Sequence, residues 1–294
     1  MKKHIGIIGG GAAGMMAAVT AARKGTKVTI LERNDRIGKK ILQTGNGKCN
    51  LGNRNLTVEC YHGGDAAWIK QALERFGTED TVCFFQKIGL LIKEKNGYLY
   101  PVSEQAASVL DVLRYELQTL GVEIIYGCKV QKVERTLSGK LVVNDGDREW
   151  QFDAVILTCG GKAAPGTGSD GSGWKIAKKA GHTCIAPVPA LVQLRCLETD
   201  LLKGIAGVRA DSRVRILCDG RETDVERGEL QLTEYGISGI PIFQLSRDVN
   251  YLLRDRKTVM AEIDFLPDMT EESYENMKET RRMLQEKRTA DCLL

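Results

Sequence analysis

An apolar stretch that runs straight into Gly9-Gly10-Gly11-Ala12-Ala13-Gly14 constrains this chain more than any other feature. Ile5 to Ala22 carries no charge and follows the basic Met1-Lys2-Lys3, which gives it the outline of a signal peptide or a membrane span. Three adjacent glycines would break the helix that either needs. The run divides better into a strand over His4–Ile8, a turn over Gly9–Gly11 and a helix over Ala12–Lys24, with Lys27–Glu32 as a second buried strand. Gly9 permits the tight turn, Gly11 lets a pyrophosphate approach the backbone, and Gly14 lets helix and strand pack closely. The helix N-terminus offers free N–H groups and a partial positive charge to phosphates. Glu32, eighteen residues beyond Gly14, would accept a hydrogen bond from a ribose hydroxyl. NAD and FAD both fit this pattern. Glu32 disfavours a ribose 2′-phosphate, and the neighbouring Arg33 blurs that inference.

Composition narrows the class. At 294 residues the chain has room for two domains of ~150 residues each. Apolar residues at 43% and charged residues at 27% exclude disorder. The 32 glycines against 6 prolines point to many tight turns. Basic residues number 42 and acidic 38, for a net charge of +4, and they are scattered, so nothing asks for a nucleic-acid partner. Nine cysteines (49, 60, 83, 128, 159, 184, 196, 218 and 292) include no C-x-x-C pair, and only His4, His62 and His182 could join them. No zinc or iron–sulfur spacing can be assembled, so no metal is expected, and the thiols read as reduced and mostly buried. Thiols in such number suit a reducing or anaerobic cell. No other segment approaches ~20 apolar residues, and the expectation is a soluble, cytoplasmic protein without membrane spans.

Along the chain, Arg33–Val58 is a long polar stretch of the kind that is usually functional. Helical spacing follows over Asp65–Phe76 and Glu79–Ile88. Leu90–Lys95 and Tyr98–Val102 flank Asn96-Gly97, a hairpin signal. Ser103 reads as the N-cap of a helix running to Leu120, with Gly121 at its end. Three short strands are expected over Val122–Arg135, Lys140–Asn144 and Glu149–Phe152, then a fully apolar strand over Asp153–Thr158. A second glycine-rich loop, Gly160–Gly173, leads into a helix to about Ala180. From Pro187 the character turns β-rich (Val208–Cys218, Glu229–Leu232), which sets a domain boundary near residue 190, and Met269–Lys287 is a charged helix.

Four segments together carry a family resemblance: GGGAAG, RIGKKILQTGNGKCN, DAVILTCGGKAAPGTGSDGSGWKIAKKAGH and GELQLTEYGISGIPIFQLSR. They resemble the BaiN-like (YhiN-type) flavoproteins from residue 4 to about residue 265. That resemblance implies an α/β architecture, a three-layer Rossmann-like FAD-binding domain over residues 1–190 with an inserted β-rich substrate domain over 191–294. It implies that Gly9, Gly11, Ala12, Ala13 and Gly14 hold the pyrophosphate and Glu32 the adenosine ribose, with Arg33 beside it among the cofactor residues. Lys39, Lys40, Thr44, Gly45, Asn46 and Asn50 would line the path from diphosphate to flavin. Val130, in the strand after the Ser103 helix, would meet adenine through its backbone, and Cys159-Gly160-Gly161 would form a turn near the cofactor. The implied activity is FAD-dependent reduction of a conjugated C=C bond with NAD(P)H as co-substrate. Within the family the best-defined role is reduction of 3-oxo bile-acid dienones by gut anaerobes, a part of bile acid 7-dehydroxylation and steroid metabolism. No steroid-specific motif is visible. An amine-oxidising flavoenzyme of the aminoacetone oxidase type is the alternative, and a flavin-binding protein without activity is a third. The expected partner is a small molecule, with neither nucleic acid nor membrane involved and the oligomeric state open.

Several residues carry two readings. Lys39-Lys40 alone reads as a solvated charge pair, and only the flanking pattern turns it toward a diphosphate. Cys49 has no His near it in sequence, so a packing thiol beside the flavin is expected rather than a nucleophile. His182 reads as a helix-end residue, and Tyr235 as a turn residue or a proton donor. No catalytic acid or base is assigned. The resemblance also implies a further glycine-rich return segment that completes the flavin site, and the sequence stops at Leu294 without it. Either a truncated product or a differently completed site is expected, with FAD affinity resting mainly on the ADP half.

Overall fold

In the computed structural model, which describes residues 2–291, the chain divides into two compact units, Met1–Cys184 and Ile185–Leu294. The first unit begins as its apolar run requires: β1 over His4–Ile8, α1 over Ala12–Arg23 and β2 over Lys27–Leu31. The polar stretch that follows holds a 3-10 segment (Ile41–Gly47) and a two-residue strand, β3 (Gly52–Asn53). Next come α2 (Ala66–Arg75) and α3 (Thr78–Lys87), then β4 (Ile92–Lys95), β5 (Tyr98–Pro101) and α4 (Ala106–Thr119). The unit closes with β6 (Glu123–Ile125), β7 (Lys132–Arg135), β8 (Leu141–Asn144), β9 (Glu149–Phe152), β10 (Ala154–Leu157) and α5 (Ser172–Lys179).

Strand alternation decides the layers. A parallel sheet runs in the order β10-β1-β2-β6. Successive side chains of a strand face opposite ways, so Ile5 and Ile7 of β1 join one core and Ile8 joins another. The first core gathers Met15, Ala18 and Val19 of α1, Val28 and Ile30 of β2, and Leu110, Leu113 and Leu117 of α4. On the opposite face, Ile8 and Leu31 meet Val143 and Phe152 of the antiparallel meander β7-β8-β9. The result is helices, parallel sheet and meander: three layers in a Rossmann-like α/β fold, as expected. Gly6 explains the tightness of the second interface. A Cβ at Gly6 would stand 2.5 Å from the Phe152 ring.

Three sequence expectations need correction. Ser103 does not cap α4; the N-cap is Gln105 in extended conformation, and the Ser103 hydroxyl accepts from the Gln105 N–H at 3.3 Å instead. Val122–Arg135 is not one strand. Glu123–Ile125 pairs with β2 in the parallel sheet and Lys132–Arg135 opens the meander, so the chain changes layers between them and Val130 lies in that crossing rather than in a strand. The thiols are also less buried than expected: among the described residues Cys49 and Cys128 are buried, Cys60 and Cys83 are exposed, and Cys159, Cys184, Cys196 and Cys218 lie between. Cys292 falls outside the described residues.

The second unit is built on one antiparallel sheet. Its elements are β11 (Leu194–Arg195), α6 (Thr199–Gly204), β12 (Arg209–Cys218), β13 (Arg221–Thr233), β14 (Gly236–Gly239), α7 (Ile240–Arg254), β15 (Val259–Asp264) and α8 (Glu271–Asp291). The strand order is β11-β14-β13-β12-β15. Helix α7, which the β-rich reading missed, places Ile242, Leu245 and Val249 at helical spacing against Val214, Ile216, Leu230 and Ile237. Tyr235 sits in the β13–β14 turn, where its carbonyl accepts from the Cys196 N–H at 3.0 Å and its hydroxyl bonds to Gln193. The turn reading of Tyr235 matches that geometry.

Phe152 is 1% exposed and joins the meander to the parallel sheet. Phe152→Ala should lower the unfolding free energy by about 3–5 kcal/mol in urea titration. A loss below about 1 kcal/mol would mean that the layers are not locked through this ring.

Candidate functional site

The β1–α1 turn shows why its glycines differ in task. A Cβ at Gly14 would lie 1.9 Å from the Gly9 carbonyl oxygen, and one at Gly9 (φ +106°) would lie 2.8 Å from the Thr158 carbonyl oxygen. These two glycines let α1, β1 and β10 approach one another. Gly11 is another case: a Cβ there would meet nothing within 4 Å, because it faces an open cleft. As N-cap of α1 it provides no side-chain acceptor, so the first N–H groups of the helix have no side-chain cap. Open space before uncapped helix N–H groups fits a diphosphate.

Glu32 holds this loop in shape. Its carboxylate is buried, with Oε2 accepting the Gly10 N–H at 2.7 Å and Oε1 accepting the backbone N–H and side-chain amide of Asn34 at 2.8 and 2.7 Å. Its backbone accepts from the Cys128 N–H and donates to the Ile125 carbonyl, both at 2.9 Å. A carboxylate offers about four acceptor positions. Three are used within the protein, and the residue still borders the cleft.

The second glycine-rich loop is fastened to the first. The Asn34 amide donates to the Thr167 carbonyl at 3.2 Å, Arg33 donates to the Gly168 carbonyl at 3.3 Å, and Lys40 Nζ donates to the Ala163 carbonyl at 2.6 Å. Arg33 also pairs with Asp170 at 2.6 Å. The hydrogen bond from Ser172, followed by Arg33, holds the Asp170 carboxyl well below the usual carboxylate range. Lys39 borders the cleft and pairs with Asp35 at 2.8 Å, while Lys40 acts as a staple between loops. Arg36 and Lys129 also border the cleft and make no hydrogen bond or ion pair among the described residues.

The structure therefore brings together Gly9, Gly11, Ala12, Ala13, Glu32, Arg33, Lys39, Lys40, Thr44, Val130, Cys159 and Gly160 around one cleft. Gly14 stands behind it in the helix–strand contact. Gly45, Asn46, Asn50 and Gly161 do not border it. Gly45 and Asn46 take left-handed conformations (φ +55° and +53°), Asn50 accepts from the Gly52 N–H at 3.1 Å, and the Gly161 carbonyl accepts from Gly171 at 2.9 Å. Sequence reasoning missed Arg36, Lys129, Thr158, Thr167, Gly168, Ser169 and Ser172, all at the cleft. Glycine density flagged the 160–173 loop, but it does not say which residues turn inward. Lys129 carries no signal of its own.

The thiols near the cleft are held neutral. Burial pushes Cys128 up to about 12, reinforced by Asp145, and pushes Cys159 up to about 11. Burial also raises Cys49, against a hydrogen bond from Thr44. Cys49 packs in the first core, as expected of a packing thiol, but it does not border the cleft, whereas Cys128 and Cys159 do. No group of three or more His, Cys, Asp or Glu residues able to hold a metal occurs among the described residues. No helix among them is long and apolar enough to cross a membrane.

Residues 3–247 match the family model described as HI0933-like protein Rossmann domain. The chain is 46% identical over 268 residues to the 3-dehydro-bile acid delta(4,6)-reductase of Clostridium scindens, covering 90% of this chain and 65% of that protein. It is 32% identical over 267 residues to the ribosomal RNA dihydrouridine synthase of Haemophilus influenzae, covering 89% of this chain and 64% of that protein. The chain thus spans a little under two thirds of the length of these curated relatives. Among solved structures, the 3-ketosteroid-delta4-(5alpha)-dehydrogenase of Rhodococcus jostii aligns with a TM-score of 0.45 at 17% identity, over 74% of this chain and 57% of that one.

Alkylation separates the thiols. At pH 8, iodoacetamide should modify the exposed Cys60 and Cys83 well ahead of Cys128 and Cys159, because burial limits access to the latter two and keeps them protonated. Peptide mass spectrometry over time reads this, and labelling of Cys159 at the rate of Cys60 would contradict its packing role.

Proposed function

The chain belongs to the HI0933-like Rossmann-domain family, and from that membership we propose that it binds FAD and reduces a C=C bond conjugated to a carbonyl, with 3-oxo bile-acid dienones as the substrate class. The observation that carries this reading is the 46% identity over 90% of the chain to a 3-dehydro-bile acid delta(4,6)-reductase. The cleft supports it from the cofactor side. The uncapped start of α1 and the open space before Gly11 would receive the diphosphate, and the remaining acceptor position on Glu32 would take a ribose hydroxyl. Arg36 and Lys129, neither in an ion pair among the described residues, would supply positive charge at the same cleft. Val130 would meet the adenine, with Cys128 and Cys159 as neutral packing beside it.

Bound FAD, once reduced by NAD(P)H, would supply a hydride to the carbon β to the carbonyl, while a proton is added at the α carbon. The protein's own contribution is orientation: Glu32 fixes the first loop, and Arg33, Asn34 and Lys40 fix the second against it. The first unit would be the cofactor domain and the second the substrate domain. The dihydrouridine synthase relative favours a second reading with the same chemistry, since a uracil ring also carries a C=C bond conjugated to a carbonyl.

Anaerobic spectra of the purified protein test the proposal. NADH should bleach the flavin, and a 3-oxo-4,6-dienone bile acid should restore its colour with saturation of one double bond. Restoration by uridine-containing ribosomal RNA alone would select the second reading. Amine-driven peroxide formation, or no bound flavin, would overturn both.

Two glycine variants separate cradle from fold. Gly11→Val should leave the circular dichroism unchanged and reduce FAD retention at least about tenfold, because the added atoms occupy only the phosphate space. Gly14→Ala should instead destabilise the protein itself, since its Cβ would collide with the Gly9 carbonyl. Wild-type FAD affinity in Gly11→Val would show that the turn does not hold the diphosphate.

A further inference from the structure

One face of the β4–β5 hairpin carries chemistry that the cofactor cleft does not use. Lys93 lies across from Tyr100 and Lys95 across from Tyr98, which puts two lysines and two tyrosines on the same side. Leu99 faces the other way and is buried. Lys48 and Glu104 close this face into a pocket lined also by Lys95, Asn96, Tyr98 and Tyr100. Glu104 holds a left-handed backbone (φ +52°), unusual for a residue with a side chain. Its carboxylate is gripped by Lys48 at 2.8 Å and Lys93 at 2.5 Å, which hold it down to about 2. Glu104 against Lys48 and Lys95 of the lining, with Lys93 beside it, leaves the pocket net positive. The Lys95 ammonium and the hydroxyls of Tyr98 and Tyr100 have no hydrogen-bond partner among the described residues. A fixed carboxylate that neutralises part of a cationic pocket, beside donors left free, is the arrangement that selects a single oxyanion.

The pocket adjoins the cofactor cleft through one segment. Gly38, Lys39, Lys40, Ile41 and Thr44 border the cleft, and Lys48 borders the pocket. Four residues span at most about 14 Å, and the Lys48 N–H bonds back to the Gly45 carbonyl at 3.1 Å, so the two are closer than that. We infer that this pocket is an oxyanion subsite that receives the carboxylate end of the substrate while its conjugated bond lies at the cofactor. A bile-acid dienone has this form, a rigid ring system with the enone at one end and one carboxylate at the other. The choice of ligand rests on the reductase reading; the oxyanion site does not. A polynucleotide is disfavoured because the positive charge does not continue as a track: Arg54, bonded to the hairpin through Gly97, is already paired with Glu79 and Glu94.

Titration of the 15N-labelled holoprotein tests the assignment through the amide shifts of Lys95, Asn96 and Tyr98. Sodium cholate should shift them saturably, and methyl cholate, which lacks the charge, should leave them in place. Lys95→Gln should raise the cholate Kd about tenfold, the loss of one charge-assisted hydrogen bond, and Lys95→Arg should largely restore it. No saturable response to cholate, or an equal response to methyl cholate, would overturn the site. Tighter binding of an oligouridylate at these amides would overturn the carboxylate assignment. Loss of dienone reduction with the cholate response intact would remove the reductase reading and leave the oxyanion site standing.

Discussion

The Glu32 carboxylate is the point on which the cleft between the glycine-rich loops depends. It accepts from Gly10 in the first turn and from Asn34 after β2, and Asn34 in turn reaches Thr167 in the second glycine-rich loop. The backbone of the same residue bonds both sides of the β6 exit, at Ile125 and Cys128. Hydrogen bonds to a buried charge contribute more than neutral ones, and removing one partner leaves the other unsatisfied. Four segments distant in sequence thus take their relative positions from Glu32 and the Asn34 that it holds.

That organisation gives the glycines separate duties. Gly9 and Gly14 are occupied by protein, since each allows a backbone contact that a Cβ would prevent. Gly11 answers to no such contact, since a Cβ there would meet nothing within 4 Å. Gly6 works on the opposite face of β1, where it admits the Phe152 ring and so joins the meander to the parallel sheet. Gly6, which serves packing, stands only three positions before Gly9 and five before Gly11 in the turn.

Positive charge around the site is similarly divided. Lys39 and Arg33 are paired with Asp35 and Asp170, and Lys40 is spent on a backbone carbonyl. Arg36 and Lys129 border the cleft and form no ion pair among the described residues. A basic residue in a motif is therefore not evidence of ligand contact by itself; a competing acid or carbonyl in the folded state decides whether its charge is available.

Local physics made much of the fold legible. The uncharged run broken by Gly9–Gly11 announces β1, the turn and α1; Asn96-Gly97 announces the β4–β5 hairpin; and the apolar strand before Gly160 announces β10. Each signal lies within a few residues of the structure it specifies, through a backbone preference or a side-chain period. Helix α7 was also readable from the spacing of Ile242, Leu245 and Val249, but the surrounding β-rich composition masked it. Tertiary structure alone decided the rest. Val122–Arg135 divides between two sheets because its two ends find different partners, and Ser103 loses the cap of α4 because the chain enters the helix two residues later. Which loop residues face the cleft, and which lysines are free, depends on contacts between segments more than a hundred residues apart, as between Asn34 and Thr167 or Lys40 and Ala163. A sequence states the chemical types available at each position, but pairing is a property of distance in space, and only the folded chain sets that distance.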